Sequence, residues 1–458
     1  MTTLAINWSQ VGLQAGYLLF SLSILVILHE FGHYITAKWF KCRVEKFYLF
    51  FDPWFSLFKK KVGETEYGVG WLPLGGYVKI SGMVDESMDK EQMKQPPQPW
   101  EFRSKPAWQR LIIMLAGIIM NVLLAFFIYA MILFKWGESK LPVANAPNGI
   151  WVTDSLMFDL GLKNGDKILE VNAEPIKYFD DIQAKVLIGG ETVLLEREGK
   201  KVNINLPVNI IGQLVKKKGK RAVFLAPRVP VIIGSFDDKD TSHARKAGLK
   251  EFDRIVAVDS ATTGFFDEMG PLLKNKKNDS VSISFLRNGQ PMKTKVLVDA
   301  NGRIGFAILD ENQFDSIGLL KHEITKYGFF ESFPAGVKKA GEKLGNYIQQ
   351  FKLILNPKTE AYKGLGGFKS MASIFPKSGW DWQSFWNITA FFSIALAFMN
   401  LLPIPALDGG HVLFTIIEMV TGRKPTDKVL EYAQIAGMVL LLGLMLFANL
   451  NDFIGWGK

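Results

Sequence analysis

Residues 11 to 28 carry no charged side chain, and the run leads straight into His29, Glu30 and His33 within LHEFGHYITA, residues 28 to 37. A helix needs about 20 apolar residues to cross a bilayer core. The stretch therefore reads as a first membrane span with ionisable groups at its end, where unpaired charges are costly and usually functional. Residues four apart on a helix share a face, so both imidazoles can reach one metal ion while Glu30 points into the same space. This is a zinc-hydrolase arrangement. Zinc accepts neutral imidazole nitrogens, and a catalytic site holds three protein ligands with a fourth position open to water. Glu30 is the candidate base that takes that water's proton and later passes it to a leaving amine. A five-letter motif with two free positions also recurs by chance, and a third ligand has to come from elsewhere.

The rest of the composition points the same way. Of the 458 residues 48% are hydrophobic, with 35 Phe and 12 Trp, which favours several membrane segments over one large soluble core. The net charge is +10, from 54 Lys and Arg against 44 Asp and Glu. These basic residues cluster beside apolar segments, where topology and anionic lipid account for them. No nucleic-acid motif is present, and no nucleic-acid partner is expected. The single cysteine, Cys42, excludes intramolecular disulfides. Flanked by Lys41 and Arg43, it reads as an ordinary thiol rather than a metal ligand. The opening MTTLAINWSQ has neither a positive n-region nor a small-residue cleavage site, so the first span is expected to be retained.

Lys38, Lys41, Arg43, Lys46 and Lys59 to Lys61 follow the first span. Short loops rich in Lys and Arg stay in the cytoplasm, which puts the N-terminus outside and the histidines near the cytoplasmic face. Residues 46 to 80 are aromatic and β-branched but broken by Pro53, Gly63, Pro73, Gly75 and Gly76. They read as hairpins, either a re-entrant element buried against protein or a plain cytoplasmic one. An open strand edge there could hold an extended substrate by strand addition. Residues 85 to 99 read as a polar loop. A second span runs from Leu111 to Phe134, with Gly117 and Asn121 four apart as a small-plus-polar pair that lets helices pack closely. Residues 337 to 355 have helical apolar spacing with Lys partners, fitting a membrane surface or the underside of the preceding region. Trp380, Trp382 and Trp386 suit an interfacial belt before a third span, Phe385 to Leu402, and a fourth follows over Tyr432 to Leu450.

Between the second and third spans lies an internal repeat. Gly161-Leu162, Asp166, Ile168 and Val171-Asn172 return 87 residues later as Gly248-Leu249, Asp253, Ile255 and Val258-Asp259. A fixed period over that many positions argues for two similar domains. Each copy resembles a PDZ domain of the bacterial protease-associated type. In the second copy Phe252 stands where the first has Gly165, so its turn geometry and its role as a peptide groove are open.

The third span meets NLLPIPALDGGH, residues 400 to 411, at the face where His29 and His33 lie. Two prolines unwind the helix and two glycines allow close backbone approach, so Asp408 can turn towards the metal as its third ligand. The other reading is that Asp408 caps the following helix. His411 is a nearby competitor for the metal, whereas His243 and His322 read as surface residues.

HEFGH, NLLPIPALDGG, the FRSKPAWQRLIIMLAGIIMN segment and the paired PDZ-like copies together resemble the site-2 protease family of intramembrane zinc metalloproteases, of the bacterial regulator-of-sigma-E protease type. The resemblance covers essentially the whole chain. It departs from the family pattern at AGIIMN and at GGFKSM, neither of which touches the metal motifs. It implies one zinc ion per chain held by His29, His33 and Asp408, with Glu30 as base. It also implies a substrate-binding role for Asn400, to which Pro403, Pro405, Gly75 and Gly76 are added as candidates. Substrates would be single-span membrane proteins, such as anti-sigma factors or remnant signal peptides, cut within the bilayer in regulated proteolysis. The expected fold class is a polytopic α-helical membrane protein of about four transmembrane helices, with a membrane-associated β region and two extracytoplasmic PDZ-like α/β domains. The expected divisions are 1–45 (first span), 46–100 (β hairpins and loop), 101–140 (second span), 147–227 and 228–310 (PDZ-like copies), 311–384 (connector) and 385–458 (last two spans). The expected location is the bacterial inner membrane, with both termini and the PDZ-like copies outside the cytoplasm. Two competing readings remain: a membrane-anchored PDZ scaffold with a structural metal, in which Glu30 is dispensable, and a conventional zincin acting on soluble peptides.

Overall fold

Four helices are long and apolar enough to cross a bilayer in the computed structural model, which describes residues 7–73, 75–83, 95–216, 223–237 and 242–455. They are α1 (Trp8–Trp39), α2 (Ala107–Trp136), α5 (Trp382–Leu401) and α7 (Asp427–Phe453). Together with a β-rich region they make the chain a multi-pass membrane protein. Between them fall α3 (Phe329–Leu355), the short α4 (Phe368–Ser373) and α6 (Asp408–Thr421). Most of the loop expected at 85–99 lies outside the described residues.

The first helix runs on past its apolar stretch. Its 32 residues measure about 48 Å at roughly 1.5 Å per residue, well beyond a hydrocarbon core of about 30 Å. His29 and His33 therefore lie inside the helix, with more than a turn of helix beyond them. The apolar run ends at Leu28, but nothing in Tyr34–Lys38 breaks a helix.

The chain divides into two compact units. The first holds residues 1–137, 326–352 and 365–457. Lipid offers apolar side chains no worse an environment than protein does, so helices here associate through small residues and polar contacts. A Cβ on Gly32 of α1 would lie 2.5 Å from the Ala116 carbonyl oxygen of α2, so the two backbones touch. Thr389 Oγ1 on α5 bonds Ser21 Oγ on α1 at 2.9 Å, and Ser393 Oγ donates to the Asn121 carbonyl at 2.7 Å. The amphipathic α3 uses Gly336 and Ala340 to press on α2 around Ala130, where a Cβ on Gly336 would come within 2.6 Å of the Ala130 nitrogen.

The β region of this unit is one sheet of four strands, β1 (Val44–Leu49), β2 (Phe51–Val62), β3 (Thr65–Leu72) and β4 (Tyr77–Ile80), in the order β2-β3-β1-β4. β1 and β3 are parallel, with Phe47 opposite Tyr67, and β4 runs antiparallel on the outer side of β1, with Phe47 opposite Val78. β4 is thus an edge strand.

The second unit holds residues 138–325 and 353–364 and contains the repeat. Each copy has an antiparallel four-stranded sheet of one topology: Lys200–Asn205, Thr192–Arg197, Lys167–Val171, Glu174–Pro175 in the first, and Gln290–Leu297, Ser280–Arg287, Arg254–Val258, Ala261–Thr262 in the second. A buried aspartate anchors each. Asp166 takes a forked pair of bonds from Arg197 at 2.7 Å, and Asp253 takes the same pair from Arg287 at 2.7 and 2.8 Å. The turn left open by Phe252 is also the same in both copies: Gly165 has φ +92° and Phe252 has φ +66°. Phe252 is 55% exposed, so its ring is largely free of the core while its backbone takes the left-handed turn.

Candidate metal centre

His29 and His33 sit one turn apart on the face of α1 that meets α2. The turn Leu402–Leu407 follows α5 and delivers Asp408 as the first residue of α6. A Cβ on Gly409 would lie 2.1 Å from the Leu402 carbonyl oxygen, and one on Gly410 2.7 Å from that of Ile404, so only glycine lets the turn fold back this tightly. Asp408 therefore occupies a helix N-terminus and also faces the histidines.

Three atoms converge. Asp408 Oδ2 is 3.2 Å from His29 Nε2 and 3.3 Å from His33 Nε2, and the two Nε2 atoms are 3.3 Å apart. His33 Nδ1 lies 2.8 Å from the Ile113 carbonyl oxygen, which can only accept, so Nδ1 carries the proton and Nε2 presents a lone pair. His29 Nδ1 meets the side-chain amide of Asn121, 3.1 Å from Nδ2. Asn121 is fully buried and its Oδ1 has no partner. Turning the amide over puts Oδ1 on an Nδ1–H donor, the tautomer in which an imidazole binds metal through Nε2. His29 then also offers a bare Nε2. Asn400 Nδ2, 3.2 Å from His29 Nε2, brings one amide N–H to this place, while Asp408 Oδ2 is buried with no hydrogen-bond partner.

Converging lone pairs repel unless a cation lies between them. Ligands at about 2.0–2.1 Å from a tetrahedral zinc stand about 3.3 Å apart, which is the edge length of this triangle. Two imidazoles and a carboxylate are an accepted zinc donor set, and the outward nitrogens are each held by an acceptor, as metal-bound imidazoles usually are. The residues fit the metal. Among the described residues these three are the histidine, cysteine and acidic side chains grouped closely enough to hold an ion.

The triangle opens on a cavity of about 680 Å³ lined by His29, Glu30, His33 and Asp408 and, across from them, by Gly76 and Tyr77–Ile80 of edge strand β4. Val78 of this strand faces Glu30 across the cavity. Tyr77 is stacked between Tyr48 and Phe51, and its hydroxyl donates to Asp52 at 2.8 Å. Burial, reinforced at Tyr77 by Asp52, pushes both phenols up, Tyr48 to about 12, so they stay neutral donors.

The other candidates fall as follows. A Cβ on Gly76 would lie 2.6 Å from Val26 and 3.3 Å from the Glu30 side chain, so this glycine lets β4 approach α1. Gly75 has φ +149° and faces the Phe51 ring. Pro403 and Pro405 belong to the turn before Asp408. His411 faces a separate small pocket with Arg110 and Glu418, His243 bonds the Leu297 carbonyl, and His322 bonds Asp315. Cys42 is buried away from the triangle, and burial pushes its thiol up. Two residues read from sequence only as a packing pair belong to the site, which corrects the expectation that the AGIIMN segment lies clear of the metal motifs. Asn121 holds His29, and a Cβ on Gly117 would lie 2.3 Å from His33 Nε2. A lone Asn in an apolar span was the available signal.

Comparison with known proteins agrees with this geometry. The family described as Peptidase family M50 matches residues 17–444. A Campylobacter jejuni protein is 29% identical over 438 residues, covering 94% of this chain and 90% of its own length. A Treponema pallidum protein is 28% identical over 453 residues, covering 94% and 96%. Both are provisionally named zinc metalloproteases. The regulator of sigma E protease of Haemophilus influenzae is 26% identical over 474 residues, covering 96% and 98%. The chain belongs to peptidase family M50, the site-2 protease family, and is a membrane-embedded zinc metalloprotease.

Proposed function

We propose that the chain hydrolyses peptide bonds within the transmembrane segments of single-span membrane proteins, using one zinc ion held by His29, His33 and Asp408. The observation that carries this reading is the triangle of 3.2–3.3 Å edges, open to a cavity that Glu30 shares. Zinc bound there supplies a Lewis acid for the scissile carbonyl and lowers the pKa of water. Glu30, beside the triangle in the same cavity, takes the proton of the attacking water and delivers it to the leaving nitrogen. Asn121 and the Ile113 carbonyl hold the two imidazoles with their Nε2 lone pairs inward.

A helical substrate hides its peptide bonds in its own hydrogen bonds, so a segment has to be unwound before it can be cut. The outer edge of β4 lies across the cavity from Glu30 and can pair with the freed backbone by strand addition. Asn400, whose amide reaches the triangle, is placed to bond a substrate carbonyl or amide nearby. Gly76 keeps the gap between strand and helix narrow. The two repeats act as PDZ-like modules that restrict entry to substrates already trimmed outside the cytoplasm. The basic residues after the first span, and Arg423, Lys424 and Lys428 before the fourth, support an inner-membrane orientation with the site near the cytoplasmic side and the repeats and termini outside.

The test is cleavage of a single-span model protein in liposomes by wild type and Asp408→Ala, with zinc measured on both. The reading predicts cleavage and zinc in the wild type and neither in the variant; zinc kept by Asp408→Ala would remove Asp408 from the ligand set. Deletion of residues 147–310 tests the filter separately. Cleavage of an untrimmed substrate should then appear, and continued refusal of that substrate would end the filtering idea.

A further inference from the structure

The fourth span, α7, touches the turn that carries Asp408 through Gln434 and Gly437. Gln434, 6% exposed in an otherwise apolar stretch of this helix, accepts a hydrogen bond from the Ala406 backbone N–H at 3.1 Å. Three residues on, and so on the same face, Gly437 meets Pro405, whose carbonyl oxygen would lie 1.7 Å from any Cβ at that position. Backbone thus presses on backbone, and one side-chain oxygen takes the amide beside the contact. Many of the apolar side chains that follow, Val439, Leu440, Leu442 and Leu446 among them, are exposed rather than packed on the unit.

Ala406 explains why the turn needs holding. Its φ is +78°, in the left-handed region that disfavours a residue with a Cβ. Such a conformation persists where its surroundings over-determine it. Here Gly409 and Gly410 close the turn from the α6 side, and Gln434 and Gly437 close it from α7. Two residues after Ala406 comes Asp408, whose Oδ2 has to sit within 3.3 Å of both Nε2 atoms.

We propose that Gln434 and Gly437 are positioning residues for the metal centre: the fourth span braces the turn Leu402–Leu407 so that Asp408 stays in reach of the two histidines. The proposal rests on Asp408 being the third ligand. It predicts that removing a hydrogen-bond acceptor from a different helix, one that touches no ligand, weakens metal binding.

The experiment measures zinc affinity by competition with a chelator, on the full chain in detergent, with thermal melting in parallel. Gln434→Met keeps the volume and loses the amide acceptor. It should bind zinc about 10- to 100-fold more weakly, the range found when groups behind metal ligands are lost. Gln434→Glu retains an accepting oxygen and should stay within about threefold of wild type. Gly437→Ala forces the helix off Pro405 and should weaken zinc as Gln434→Met does. A merely structural contact would lower the melting temperature of the metal-free protein and leave zinc affinity unchanged. Gln434→Met and Gly437→Ala both within about threefold of wild type would overturn the brace. Asp408→Ala binding zinc as tightly as wild type would overturn the ligand reading first, and the brace with it.

Discussion

Replacing Asn121 by Leu tests the account of the metal centre without touching a ligand or the base. Asn121 is fully buried in α2, and the partner of its side chain is His29 Nδ1 at 3.1 Å. Its backbone carbonyl, which accepts from Ser393, is unchanged by the substitution. Leu keeps the branch of Asn at Cγ but is the larger side chain, so some of the packing with α5 has to yield. What is lost is the acceptor that keeps the proton on Nδ1 and the lone pair on Nε2. Such partners are worth about 10- to 100-fold in metal affinity, or about 1.4–2.7 kcal/mol. Chelator competition on the purified protein should show this loss, with melting of the metal-free form reporting the cost of the larger side chain separately. Asn121→Asp, which offers a carboxylate oxygen to the same proton, should hold zinc as well as wild type or better. Leu and Asp variants with equal affinity, both near wild type, would refute the reasoning, because Asn121 would then be a packing residue only.

Further outcomes follow from other contacts. Gly117→Val would put a side chain 2.3 Å from His33 Nε2, and zinc content should fall below detection, as metal analysis would show. Phe252 holds a left-handed turn with its ring largely exposed, so Phe252→Gly should be neutral or stabilise by up to about 1 kcal/mol in denaturant unfolding, whereas Gly165→Val should cost roughly 1–2 kcal/mol. Cys42 is 3% exposed with its thiol pushed up by burial, so a thiol reagent at neutral pH should label it slowly until the chain is unfolded.

Much of this was legible in the sequence, because each signal was local. Four apolar runs became four apolar helices, and the 87-residue period became two sheets of one topology. The spacing of His29 and His33 puts two imidazoles on one face in any helix. Asp408 was legible because Pro403, Pro405 and two glycines announce a turn at matching depth. What escaped depends on which helix lies beside which. Gly117 and Asn121 read as a packing pair since their spacing says only that they share a face; that the face lies against His29 follows from the contact of Gly32 with Ala116. Gln434 gave even less, a single amide in an apolar helix whose partner lies 28 residues earlier on a turn. The first helix runs past Leu28, where its apolar stretch ends, because nothing in Tyr34–Lys38 breaks a helix. Phe252 left its turn open because composition cannot say whether a bulky residue will accept a left-handed φ, and the fold around Asp253 requires it to.

The central claim is that Glu30 does the proton chemistry of a zinc peptidase. The most direct measurement is cleavage of a single-span substrate in liposomes by wild type and Glu30→Gln, with zinc determined on both. Glu30 lies outside the ligand triangle, so the variant should keep its zinc. Loss of a positioned acid–base group lowers rates by about 10²- to 10⁴-fold, so cleavage should fall by at least a hundredfold. Cleavage at the wild-type rate with zinc retained would contradict the account.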